Sequence, residues 1–333
     1  DDIVSTINKG LRQNQKTWQS LYITSGGIVR GKLFDSLFDR FSSDDEFENN
    51  DRSFACLYCL DDVSEVHDSK NWTKAAPMLP YGIPKFEGVE EEYRLAKDDP
   101  LLQTQFLAYN MGMRMNDVTK YIQQNEAERT AYDFDAVWSG ASVVVGVDVA
   151  LVGDLTALTF ITEVDDVMYA HCECIASNDT LKRLDPQTAK FLKSCDNLTI
   201  TDTTYTTADQ IFDVFVNFVN RYNVTTEVIA YDPAKYETLK SLIDTYFFDV
   251  DDDRQVKIKQ GFAMSDYIKL MKELLNSKTL IHNDQLLGWS LLNTAVRLGT
   301  SGDVMLKKLN NNEKIDPVVA LVNALKIKIE KRL

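Results

Sequence analysis

VVVGVDVALVGDLTALTFI, residues 143–161, decides the fold. The run is apolar and β-branched, too short for most helices, and broken at Gly153-Asp154. It therefore reads as two buried antiparallel strands joined by a tight turn. Val167–Ile175 adds a third strand after a turn at Asp165-Asp166, so Val143–Ala150, Leu155–Glu163 and Val167–Ile175 form a meander. One carboxylate, Asp148, sits inside the first strand. A buried carboxylate left unpaired costs several kcal/mol, so it must be neutralised, hydrogen-bonded or set against a cation.

Downstream, strands and helices alternate. Leu198–Thr201, Glu227–Tyr231, Val256–Gln260 and Val304–Leu309 read as strands. Thr207–Asn223 reads as a helix with Ile211, Phe212, Phe215, Phe218, Val219 and Tyr222 on one face. Pro233–Phe247, Ser265–Asn276, Leu286–Leu298 and Pro317–Lys331 read as further helices. A meander followed by this alternation predicts an α/β, RNase H-like mixed sheet covered by helices.

Two more aspartates lie where such a fold can bring them to Asp148: Asp232 in VIAYDPAKYETL and Asp316 in KIDPVVALVNAL. Each precedes a proline that opens a helix, so capping is the alternative role for either one alone. If the first strand is central and Glu227–Tyr231 lies parallel beside it, Asp148 and Asp232 share one edge. The last helix, crossing that face, can deliver Asp316. Three converging carboxylates suit a pair of Mg²⁺ or Mn²⁺ ions and phosphodiester hydrolysis, with Asp148, Asp232 and Asp316 as metal ligands and catalytic residues. Asp154, Asp202 and Asp303 are candidate outer ligands, with turn roles as the alternative. Lys307, Lys308 and Lys314 are candidate phosphate contacts, against the alternative of exposed-face lysines.

Other chemistries find less support. Cys56-x-x-Cys59 with His67 nearby has no second Cys or His pair at zinc spacing, and Cys172-x-Cys174 lies on an alternating strand. His67, His171 and His282 stand beside no nucleophile elbow, so structural roles are expected for His171 and His282. An actin-like ATPase is a rival reading of the 148–156 hairpin, but no second glycine-rich phosphate loop follows Asp232. Five cysteines, an odd number thinly spread through 333 residues, point to a reducing compartment. No apolar run approaches the roughly 20 residues of a membrane span. The first residues, DDIVSTINKG, lack the regions of a signal peptide, and a start without Met points to a fragment or a processed chain.

The net charge of −15 argues against a simple nucleic-acid coat. It is uneven: residues 254–333 hold 14 Lys plus Arg against 7 Asp plus Glu, a net of +7, which leaves −22 for the remainder. A basic stretch beside an acidic cluster is compatible with DNA, as it is with solvated helix faces.

Before the meander the expectations are looser. Residues 1–20 read as a helix ending near Asn14, Ser20–Gly27 as a strand entering a glycine turn, and Arg30–Phe41 as an amphipathic helix. Ser25-Gly26-Gly27 lacks the spacing and lysine of a P-loop. Phe54–Leu60 reads as a strand, residues 72–84 as a proline-marked crossing, and Val89–Lys97 and Pro100–Asn110 as helices. The domain boundary is expected at 138/139.

These residues together resemble the large terminase subunit of tailed bacteriophages, over nearly the whole length. GVDVALVGDLTALTFI resembles the family's first nuclease motif and IAYDPAKYETLKSLI its second. QGFAMSDYIKLMKELL, LIHNDQLLGWSLLN and KIDPVVALVNAL resemble its closing pattern. SLYITSGG is similar to the coupling motif that follows the ATPase core. Asn71-Trp72 to Pro77, with the helix through Phe106 and Asn110, resembles the linker subdomain.

The resemblance implies a nuclease domain at 139–333, preceded over 1–138 by a partial P-loop ATPase remnant and a helical linker subdomain. It implies metal-dependent cleavage of concatemeric double-stranded DNA, with portal protein and small terminase subunit as partners and a homo-oligomer on the portal. It places the protein in the host cytoplasm, with no membrane association. ATP belongs to the intact motor, and no independent ATPase activity is expected here because no P-loop or acidic Mg·ATP strand precedes Ser25. A packaging module that binds DNA or portal without cutting is the non-enzymatic alternative.

Overall fold

Alternation along residues 142–148 sorts the side chains of the central strand between two layers, and the other elements of the second half are arranged around that strand. In the computed structural model the described residues are 6–7, 9–11, 13, 16–23, 37–38, 41, 54–115, 118–150, 152–235, 237, 239, 245, 254–299, 302–308 and 313–331. The chain divides into two units, residues 1–119 and 120–333. Residues 120–138, placed before the boundary by the sequence reading, belong to the second unit. Trp138 explains this: it is fully buried in that unit's core and stacks edge-on against Phe218.

In the first unit, α1 (Phe86–Ala96) and α2 (Pro100–Tyr109) pack around Trp72. Asp99 caps α2 by accepting the amides of Leu101 and Leu102. The Trp72 indole donates to the Val66 carbonyl at 2.8 Å, and its ring meets Phe86, Tyr93 and Phe106. Residues 54–60 are not a strand: Phe54, Leu57 and Tyr58 are exposed, and the Leu60 amide turns to the Met111 carbonyl instead. Residues 20–23 have no regular structure, and 24–27 lie outside the described residues. The described residues of the two expected N-terminal helices, 6–7, 9–11, 13, 37–38 and 41, are helical; the others lie outside the described set.

The second unit is a seven-stranded mixed sheet. Its strands are β1 (Ser142–Asp148), β2 (Thr156–Val164), β3 (Val167–Ser177), β4 (Leu198–Thr201), β5 (Thr225–Tyr231), β6 (Gln255–Lys257) and β7 (Leu280–His282). The order is β4-β3-β2-β1-β5-β6, with β7 paired to the start of β3. β1, β2 and β3 are antiparallel; β1 and β5 run parallel, as do β5 and β6. Asp165 and Asp166 both take left-handed backbone conformations, as a two-residue hairpin loop of this twist requires.

The first turn departs from expectation. Instead of a tight turn at Gly153-Asp154, the described residues 149–150 and 152–155 are neither strand nor helix, because Asp154 is drawn to lysines elsewhere while the Thr156 hydroxyl bonds the Ala150 backbone.

Val143, Val145 and Val147 point into one core with Phe160, Ile229 and Tyr231, covered by α3 (Phe134–Trp138) and α6 (Ala208–Tyr222). α6 begins at a Thr207/Gln210 capping box and stops at Asn223, which is left-handed. Two short helices, α4 (Asn178–Lys182) and α5 (Pro186–Lys193), which the sequence did not disclose, link β3 to β4.

The opposite face carries α7 (Ser265–Asn276), α8 (Gln285–Leu292) and α9 (Asp316–Glu330). The expected Leu286–Leu298 helix ends at Leu292. Thr294–Leu298 is a strand, β8, antiparallel to β9 (Val304–Lys308). Of the helix expected over Pro233–Phe247, residues 233–235 form one 3-10 turn, and most of residues 236–247 lie outside the described residues.

Candidate metal centre

The last paired residues of β1 and β5 are Gly146 and Ala230. Asp148, the last residue of β1, and Asp232, the first residue after β5, each follow that pair by two positions, so the parallel register brings both to the same end of two neighbouring strands. Asp148 lies on the α9 face, because Val147 turns into the opposite core. α9 lies against that face through specific contacts. Thr159 donates its hydroxyl to the Pro317 carbonyl at 2.9 Å, and Asn323 donates its amide to the Val147 carbonyl at 3.1 Å. Its first residue, Asp316, thereby arrives at the edge where β1 and β5 end, and one of its oxygens accepts the Leu155 amide at 3.4 Å.

The capping alternative fares differently at the two positions. Asp232 accepts the Ala234 amide at 2.9 Å, so one oxygen serves the turn. Asp316 is the first helical residue rather than the cap, which is Ile315.

Among the described residues, no three His, Cys, Asp or Glu side chains stand close enough to enclose a metal ion. The carboxylates nevertheless act on one another. Burial, and then the charge of Asp316, hold the Asp148 carboxyl well above the usual range, with Asp154 and Asp232 adding to the effect and Lys235 opposing it. Burial and then Asp154 push Asp316 up to about 7. Carboxylates that raise one another's pKa are relieved by a cation, and hard oxygen donors are the set that Mg²⁺ or Mn²⁺ prefers. The residues present therefore fit such ions.

The remaining candidates separate. Asp154 accepts from Lys308 at 2.8 and 2.9 Å and from Lys314 at 2.7 Å. Burial opposes ionisation of Asp154, but these two ammonium groups hold its carboxyl below the usual range. Lys314, expected as a phosphate contact, is only 2% exposed, and Lys308 is committed to the same carboxylate. Lys307 is exposed on β9. Asp202 follows β4, three strands from β1 and so about 14 Å away; it accepts from Asn178 at 2.7 Å. Asp303 lies at the hairpin end of β9, five residues and so roughly 16 Å from Lys308. Neither Asp202 nor Asp303 joins the cluster.

His171 and His282 have structural surroundings. His171 lies 3.0 Å from Glu173 and 3.3 Å from Asp284 and stacks on Phe218; the His282 ring nitrogen Nδ1 lies 3.1 Å from the Asp284 carbonyl. Sequence reasoning missed Lys235, the Leu155 amide and Gly146. Only the last left a signal, a glycine within a β-branched run, which marks a bulge or a close backbone approach.

The raised carboxylates make stability depend on pH in a definite direction. Asp316 ionises near pH 4 when unfolded and near pH 7 when folded, so its contribution is complete below pH 4 and lost as pH rises to about 7. The loss, on the order of 4 kcal/mol, should show in EDTA as a melting temperature that falls from about pH 4 to about pH 7. Asp316→Asn should flatten the fall, and an unchanged slope in that variant would count against the assignment.

Residues 48–331 match the family model described as terminase large subunit, endonuclease domain. The curated terminase large subunits of Lactococcus phage p2 and Lactococcus phage SK1 are each 42% identical over 332 residues, or 99% of this chain. The chain spans 61% of the length of those relatives. The crystal structure of the HK97 bacteriophage large terminase is similar over 98% of this chain and 67% of its own, with a TM-score of 0.53 at 17% identity, a likeness of fold.

Proposed function

The chain belongs to the terminase large-subunit endonuclease-domain family, and from that premise we propose that its second unit hydrolyses the phosphodiester backbone of double-stranded DNA with divalent-ion assistance. The observation that carries the reading is the parallel pairing of β1 with β5, whose ends lead into Asp148 and Asp232, and it supports a shared edge that Asp316 would join. These three would hold two Mg²⁺ or Mn²⁺ ions. When bound, the ions supply Lewis-acid activation of water and of the scissile phosphate.

The chain's own groups orient the ligands. The Leu155 amide fixes one Asp316 oxygen, the Ala234 amide fixes one Asp232 oxygen, and Thr159 and Asn323 hold α9 against the sheet. Lys307, exposed on β9, would supply a DNA phosphate contact.

In the wider role the substrate is concatemeric DNA, cut during genome packaging in the host cytoplasm. Portal protein and the small terminase subunit are the partners, copies of the chain assemble on the portal, and ATP is consumed by the intact motor. The first unit belongs to the end of the ATPase core and its linker. No described helix is long and apolar enough to cross a membrane.

Incubating supercoiled plasmid with the protein in Mg²⁺, in Mn²⁺ and in EDTA, without ATP, tests the proposal. Nicked and linear products are expected with either ion and none in EDTA. Equal cleavage in EDTA, or none with either ion, would overturn it.

A further inference from the structure

Three chain segments meet at Asp154: the β1–β2 loop that carries it and, some 150 residues or more further on, the end of β9 through Lys308 and the residues before α9 through Lys314. The two lysines are not equivalent. Lys308 keeps a side chain 32% exposed, whereas Lys314 is 2% exposed and gives one further bond, at 2.7 Å, to the Gly153 carbonyl.

A lysine buried to this degree loses most of its hydration, and only a fixed anion and aligned acceptors offset that cost. Here the anion is Asp154. The next residue, Leu155, donates the amide that holds Asp316, and Lys314 itself lies two residues before Asp316. Lys314 thus ties together both segments that fix one carboxylate of the proposed centre. Beside Lys308 and Lys235, it adds a buried positive charge to a group of four carboxylates, Asp148, Asp154, Asp232 and Asp316, whose like charges raise one another's pKa.

We infer that Lys314, bonded to Asp154 and to the Gly153 carbonyl, is a positioning residue: an internal cation that keeps the carboxylate cluster assembled before divalent ions enter. The inference rests on the nuclease reading above. It moves Lys314 from the DNA-facing surface to the interior of the site. The charge balance then dictates how variants behave. Lys314→Met removes the buried partner of Asp154 and leaves that carboxylate to the partly exposed, solvent-screened Lys308, so the metal-free protein suffers most and bound ions compensate. Asp154→Asn with Lys314→Met removes one charge of each sign and restores the balance. Lys308→Met, at the exposed position, has a smaller effect.

The test is the melting temperature of these proteins in EDTA and in saturating Mn²⁺, with Mn²⁺ affinity measured by calorimetry alongside. In Lys314→Met the gap between the two conditions should widen by roughly 5 °C relative to wild type, and it should return towards wild type in the double variant. A merely structural lysine would lower both conditions equally and add to Asp154→Asn; that result overturns the inference alone. A wild-type protein with no Mn²⁺ shift overturns the nuclease reading beneath it. If Lys314→Met does not fold, a folded double variant supports the inference, and a double variant that also fails to fold overturns it.

Discussion

Asp148→Asn is expected to lower the rate of plasmid cleavage by roughly 100- to 1,000-fold or more, the range typical for loss of one preorganised electrostatic group at a reacting centre. The same substitution should raise the melting temperature in EDTA. The wild-type carboxyl is held well above its usual range by burial and by Asp316, so replacing it with a neutral amide of the same shape removes a cost that the folded state bears. Opposite signs in activity and stability are what a ligand position shows and what a packing position does not. A packing role would lower both, and a surface role would move neither. Cleavage at the wild-type rate by Asp148→Asn would remove this residue from the centre, and the assignment of Asp232 by register would go with it.

Much of that geometry was legible in the amino-acid sequence, because it depends on period-two patterning. Val143, Val145 and Val147 point one way and Val144, Gly146 and Asp148 the other, so the face on which Asp148 lies follows from counting. β5 repeats the pattern, with Ile229 and Tyr231 in the core.

What was not legible came from contacts between distant segments. Lys308 and Lys314 read as surface lysines because nothing local shows that Asp154, some 160 residues earlier, will claim both. The loss of a tight turn at Gly153-Asp154 has the same cause. The run from Leu286 to Leu298 read as one helix because its apolar residues continue without a break. The change of type at Thr294 is set by hairpin pairing with Val304–Lys308, which a helical reading of the apolar run does not register. β7 is three residues long and becomes a strand only because β3 extends far enough to pair with it.

Gly146→Ala is expected to be severely disruptive. A Cβ at this position would lie 1.9 Å from the Ala320 carbonyl oxygen and 2.6 Å from the Ala324 amide nitrogen, both backbone atoms of α9. No rotamer change relieves a clash with backbone, so the helix must move away from β1. Ala320 and Ala324, four residues apart on one helical face, show why the approach is so close: the helix turns its smallest side chains to a strand that has none. Overpacking of this kind costs about 3 kcal/mol or more, to be read from the denaturation midpoint.

Activity should fall further than stability alone explains. The helix that moves carries Asp316, and a misplacement of about 1 Å can cost on the order of 100-fold. The bond from Asn323 to the Val147 carbonyl lies within the same contact and would lengthen too. Cleavage measured well below the melting temperature, where the variant is fully folded, separates the two effects. Normal cleavage there, together with a lowered midpoint, would mean that Asp316 keeps its place without close seating of α9. A normal midpoint would mean that the helix does not lie where these distances put it.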